Sequence, residues 1–86
     1  MKVTQKYEKK IIGDEILLLP LTNSGLKEAL VLNKTSVYIF GLIEQGFSKE
    51  EIFNQCLKKY SVEEDMLLSD IENAINLLIQ KNVVME

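Results

Sequence analysis

Lys27-Glu28-Ala29-Leu30-Val31-Leu32-Asn33-Lys34-Thr35-Ser36 reads as a short strand running directly into a helix. Side chains of an extended chain alternate between two faces, so Leu30 and Leu32 share one face and Ala29 and Val31 the other. Asn33 ends the alternation. It is a good helix N-cap, because its side-chain oxygen can accept from an orphan N–H of the first turn. The chain before this stretch is strand-like, and the chain after it is helical.

Upstream, residues 1–12 carry Lys2, Lys6, Lys9 and Lys10 against the single acid Glu8. Val3, Tyr7 and Ile11 share one parity, which predicts a first strand across this segment. Its lysines suit a protected sheet edge. Gly13-Asp14 fits a two-residue hairpin loop with glycine first. A second strand is predicted from Glu15 to Leu19, halted by Pro20. Ile16 and Leu18 point one way, while Leu17, Leu19 and Leu21 point the other, so both faces call for cover. Thr22-Asn23-Ser24-Gly25 is a turn cluster that leads into the opening strand.

Downstream, a first helix is predicted from Lys34 to Gln45. Val37, Phe40, Leu42 and Ile43 form its apolar stripe, widened by Tyr38 and Ile39, and Gly46 closes it. Ser48-Lys49-Glu50-Glu51 matches a capping box at the start of a second helix. That helix has an apolar face of Ile52, Phe53, Cys56, Leu57 and Tyr60. Ser61-Val62-Glu63-Glu64 reads as another capping box, opening a third helix from Val62 to Lys81. Leu67, Ile71, Ala74, Ile75 and Leu78 form its main stripe. Met66, Leu68, Leu77 and Ile79 widen the apolar arc beyond the ~100° that one core contact needs. Asn82 is a left-handed stop, and Val83-Val84-Met85 a short extended tail. Three strands followed by three helices, without linker or repeat, predict a single α+β domain over residues 1–86.

Composition narrows the chemistry. The 86 residues are 47% hydrophobic, so a core is expected and disorder is not. Thirteen acids against ten basic residues, all of them lysine, leave a net charge of −3. There is no histidine, the usual general base near neutral pH and the commonest metal ligand. There is no arginine either, the preferred fork for guanine edges and phosphates. Cys56 is the only cysteine; on an apolar helix face it reads as a core residue, in keeping with a reducing cytosol. No phosphate-binding glycine loop, metal cluster, cofactor motif, secretory leader or membrane span is read. Glu63, Glu64, Asp65, Asp70 and Glu72 read as a solvated helix start that complements the helix dipole. The expectation is a cytoplasmic protein with no catalytic residues, metal or cofactor.

Function must then lie in binding. Three helices with a small sheet are similar to a winged helix-turn-helix, whose third helix would meet DNA. Here residues 61–72 hold five acids and no lysine. Affinity for DNA comes largely from cations that release counterions, so this segment opposes it. The surplus apolar surface favours another mode. A free strand edge accepts an extended peptide by strand addition, with apolar peptide side chains entering a groove between the opening strand and the third helix.

These features resemble the PqqD-like family, also called the RiPP recognition element. The resemblance rests on the strand pair around Gly13-Asp14-Glu15 and on the junction Leu32-Asn33-Lys34-Thr35-Ser36. It continues through Phe40-Gly41-Leu42-Ile43-Glu44-Gln45-Gly46, Ser48-Lys49-Glu50-Glu51-Ile52, and a long Val62-to-Val84 segment with a Lys-Asn-Val-Val tail. Asn82 stands where the family usually has glycine, Phe40 stands near a common tryptophan, and the Pro20–Leu26 loop is unusual. The resemblance implies a winged helix-turn-helix-like fold, a three-stranded antiparallel sheet followed by three helices. It implies a peptide chaperone in ribosomal natural-product biosynthesis. Such a protein binds a precursor leader peptide as a strand on its third strand, beside its third helix. It presents that peptide to a modifying enzyme such as a radical SAM protein, a peptidase or a cyclase.

Carried onto this chain, the implied peptide edge is Glu28, Ala29, Leu30, Val31 and Leu32, with Lys27 and Glu28 placed to orient peptide charges. The implied groove wall on the third helix is Met66, Leu67, Asp70, Ile71, Ala74, Leu77 and Leu78. Each apolar member of that set equally suits ordinary core. Two other readings remain open: a winged-helix DNA regulator, and an interaction module in which a second copy fills the groove to make a homodimer.

Overall fold

A computed structural model describes residues 1–22, 25 and 27–86. The element order is β1 (Lys2–Val3), β2 (Tyr7–Ile12), β3 (Glu15–Pro20), β4 (Leu30–Leu32), α1 (Lys34–Glu44), α2 (Lys49–Lys59), α3 (Glu64–Gln80) and β5 (Val84–Met85). Strands β2, β3 and β4 form an antiparallel sheet in that order, so β3 is central and β4 is an edge. This is the expected α+β architecture of a three-stranded sheet followed by three helices. The turn cluster's Asn23 and Ser24, and Leu26 of the loop, lie outside the described residues.

The expected first strand over residues 1–12 is broken in two. Gln5 takes a left-handed backbone angle (φ 60°), and β1 pairs antiparallel with the C-terminal β5 instead of continuing along β3. The six residues of β3 are fully matched by β2, from Tyr7 opposite Pro20 to Ile12 opposite Glu15. The pairing runs one bond past Tyr7, with the Leu21 amide donating to the Lys6 carbonyl (2.9 Å), and the turn at Gln5 then redirects the chain. The preceding chain turns to the tail, where the Thr4 amide donates to the Val83 carbonyl (2.9 Å) and Thr4 Oγ1 to the Asn82 carbonyl (2.6 Å). Ile11 shares the core side with Ile16 but stays 74% exposed, because β2 packs on β3 and, among the described residues, no helix covers it there. At the hairpin end Gly13 has φ +60°, a conformation glycine adopts without steric cost.

The core side of β3 and β4 buries Ile16, Leu18 and Leu32 against Ile39, Phe40, Leu42 and Ile43 of α1, with Ile52 and Cys56 of α2, Leu67, Ile71, Ile75 and Leu78 of α3, and Val83 and Val84 of the tail completing the cluster. The other sheet face does not receive the expected cover: Leu17 and Leu19 are half-buried and Val31 is 58% exposed. Burial pushes the Cys56 thiol up from its ordinary pKa, with Lys59 opposing, as suits a core side chain.

Local sequence explains most helix ends. Asn33 caps α1 by accepting from the Ser36 amide at 3.0 Å. The capping box of α2 is formed in both directions, with the Glu51 amide donating to Ser48 Oγ (3.2 Å) and the Ser48 amide to Glu51 Oε1 (2.9 Å). Gly46 and Asn82, with φ 90° and 62°, close α1 and α3. At each end the two following amides return to carbonyls of the last turn: Gly46 to Ile43 and Phe47 to Leu42, Asn82 to Ile79 and Val83 to Leu78. The second capping box does not form. Tyr60 is already extended, Ser61–Glu63 link the two helices, and Glu63 is the N-cap of α3 without a side-chain cap bond.

Candidate functional site

The site is built from one strand and one helix. Strand β4 is three residues long rather than the five expected. Leu30 opposes Leu18, Val31 opposes Leu17 and Leu32 opposes Ile16. Extending that register would set Ala29 against Leu19 and Glu28 against Pro20, a residue with no N–H for a ladder. Pro20 is itself the last residue of β3 rather than the stop after it. Among the described residues only one side of β4 is paired within the sheet, which leaves its other edge as a row of main-chain donors and acceptors.

Helix α3 runs beside this edge in the opposite direction. At one end, Gly25, Lys27 and Glu28 face Gln80, Lys81 and Asn82 across a cleft of about 240 Å³ that Tyr7 also lines. At the other end, Asn33, Thr35 and Ser36 face Asp70, Asn73, Ala74 and Leu77 across a cleft of about 320 Å³. The segment 27–33 therefore forms one bank of an interrupted groove, and α3 the other. An ion pair crosses its first end, with Lys81 Nζ 3.4 Å from Glu28 Oε2. Lys81 is held in turn by Tyr7, whose hydroxyl donates to the Lys81 carbonyl at 2.7 Å.

The wide apolar arc of α3 resolves into two stripes. Leu67, Ile71, Ile75 and Leu78 are buried in the core. Met66, Asp70, Ala74 and Leu77 each precede one of these by a single position, a rotation of about 100°. Of that second stripe, Asp70, Ala74 and Leu77 line the cleft, and Met66 continues the stripe one turn before Asp70, 59% exposed. The opposite flank turns to α2, where Glu72 Oε1 lies 3.4 Å from Lys49 Nζ.

Leu67, Ile71 and Leu78 thus stand in the core rather than on the groove wall, and Leu32 is buried with them. Their positions at the centre of the apolar arc turn inward, where α3 packs on α1, α2 and β5. Lys27, Glu28 and Ala29 are exposed but outside the strand, Leu30 is half-buried, and Val31 points to the open face. Sequence reasoning did not place Thr35, Ser36, Asn73, Gln80 or Lys81 in the groove. The hydroxyl-rich junction after Asn33 was the available signal for the first two. For Asn73 and Lys81 it was the spacing of three and four residues from Asp70 and Leu77.

The family model described as coenzyme PQQ synthesis protein D (PqqD) matches residues 15–84. The chain belongs to the PqqD family. The matched span starts at the first residue of β3 and takes in β4 and all three helices, so both banks of the groove lie within it. The PqqD-family chain is also similar to a solved structure of TbiB1 in complex with the TbiA(beta) leader peptide. That chain is 26% identical, with a TM-score of 0.81 over 96% of this chain and 93% of the other. No curated protein matches the sequence.

Among the described residues no three acids or cysteines converge as a metal site, and no helix is long and apolar enough to cross a membrane. The acids at the start of α3, Glu63, Glu64 and Asp65, are exposed and oppose a phosphate backbone at the end that would dock on DNA.

Proposed function

We propose that this chain is a leader-peptide-binding chaperone of ribosomal natural-product biosynthesis. The observation that carries this is the free edge of β4 beside the clefts along α3, in a PqqD-family fold similar to a leader-peptide complex. The peptide adds as a strand to β4. The sheet is antiparallel throughout, and antiparallel pairing is the more stable kind, so the peptide runs antiparallel to β4. Main-chain hydrogen bonds supply affinity, and alternate side chains enter the clefts lined by Asp70, Ala74 and Leu77 at one end and by Lys27, Glu28 and Lys81 at the other. The chain performs no chemistry on the peptide, and presents it to a modifying or leader-cleaving enzyme.

A titration followed by backbone amide NMR tests this, using the leader half of small peptides encoded beside the gene. Low-micromolar binding, with shifts concentrated on residues 27–33 and the Met66–Lys81 side of α3, is the expected result. A concentration-dependent dimer with no response to peptide would favour filling of the same edge by a second copy. Retention on duplex DNA at physiological salt would favour the winged-helix regulator.

A further inference from the structure

The two ends of the groove carry opposite, incompletely matched charge. At the first end Lys27 and Lys81 face the single acid Glu28, which bridges to Lys81 while 80% of its side chain stays exposed. At the second end Asp70 lines the cleft and no lysine pairs with it among the described residues. Lys34 is next to Asn33 in sequence, but it does not line that cleft and forms no ion pair among the described residues. Glu63, Glu64 and Asp65, at the start of the same helix, add further negative charge beyond Asp70. The helix dipole opposes this polarity with about half a charge at each end, less than the side chains contribute.

Building on the peptide-binding reading above, we infer that the groove selects bipolar peptides. A basic side chain meets Asp70, and an acidic side chain displaces Glu28 from Lys81. The fold also sets their spacing. Asp70 and Lys81 are eleven positions apart along α3, about 16 Å at 1.5 Å per residue. An extended peptide covers that distance in about five residues. Both charged side chains must point to the α3 side, and side chains alternate, so the separation is even: four or six residues. In the antiparallel orientation the basic residue is the N-terminal one of the pair. Glu28 acts as a stand-in for the peptide acid, holding Lys81 in place until it is displaced.

The test uses the full chain and a displayed library of random 12-residue peptides. Peptides selected on the natural chain are expected to carry Lys or Arg followed, four or six residues later, by Asp or Glu. Asp70→Lys should exchange the preferred basic residue for an acidic one. It should weaken peptides selected on the natural chain about three- to tenfold, the scale of reversing one partly exposed pair. Asp70→Asn, which keeps the size of the side chain, should give a smaller loss and no inverted preference. Lys81→Glu should exchange the acidic preference at the other end. Selected peptides that shift the amides of residues 27–33 yet show no charge spacing, or an Asp70→Lys chain that selects the same sequences, would overturn the bipolar selection and leave strand addition intact. Selected peptides that shift only other surfaces would overturn both.

Discussion

The hydroxyl of Tyr7, at the start of β2, donates a 2.7 Å hydrogen bond to the carbonyl of Lys81, at the end of α3. This contact joins the first strand of the main sheet to the helix end that lines the groove, across 74 positions of sequence. It satisfies a carbonyl that the helix itself leaves without a partner. Tyr7→Phe keeps the ring and removes the bond. A loss of about 1 kcal/mol is expected in urea unfolding. Amide shifts in the folded variant should centre on Lys81 and its neighbours.

The two stripes of α3 should separate stability from binding. Ile71→Ala removes a fully buried side chain and should cost about 2–5 kcal/mol, a large share of the stability of a small domain. Leu77→Ala alters a side chain that is 38% exposed at the cleft. It should cost less than about 1 kcal/mol in denaturation, while weakening peptide binding severalfold in a titration.

Ala74→Arg tests the groove by filling it. The alanine is half-buried and lines the cleft between the start of α1 and α3, so a long side chain there occupies the space of a peptide residue. Peptide affinity should fall more than tenfold while the circular dichroism spectrum is unchanged.

The capping box of α2 gives a pH signature. The Ser48 amide and hydroxyl hold the Glu51 carboxyl below the usual glutamate range. A carboxyl lowered in the folded state contributes stability that is complete above its unfolded pKa and is lost as pH falls through the folded value. Glu51→Gln should therefore remove part of the acid-side slope of stability and leave the neutral-to-basic side as it is in the natural chain. Paired urea melts across the acid range measure it. Ser48→Ala should cost about 1 kcal/mol at neutral pH.

Cys56 is fully buried, and its thiol is pushed up by that burial. A thiol reagent at mildly basic pH should label it only through global unfolding, so the logarithm of the labelling rate should rise in Ile71→Ala with the stability lost.

Local signals carried most of the fold. Asn33, Ser48, Gly46 and Asn82 each act within one helical turn, so capping and termination were readable from neighbouring residues alone. The Gly13-Asp14 loop and the alternation through Ile16 and Leu18 likewise fixed the hairpin and its buried side. The family resemblance pointed to the β4 edge and to α3. By contrast, periodicity placed Leu67, Ile71, Ala74, Leu77 and Leu78 on one broad arc without dividing it. A helix has no preferred rotation about its axis until its neighbours pack, so only the packed structure assigned Leu67, Ile71 and Leu78 to the core and Ala74 and Leu77 to the groove. The pairing of β1 with β5 and the bond from Tyr7 to Lys81 were also beyond sequence reading, because they join residues more than seventy positions apart. Residue order determines capping, turns and alternation, which depend on near neighbours. The rotation of α3, the shortened β4 and the opposed charges of Asp70 and Lys81 along one groove depend on which distant surfaces meet, and the tertiary structure alone decided them.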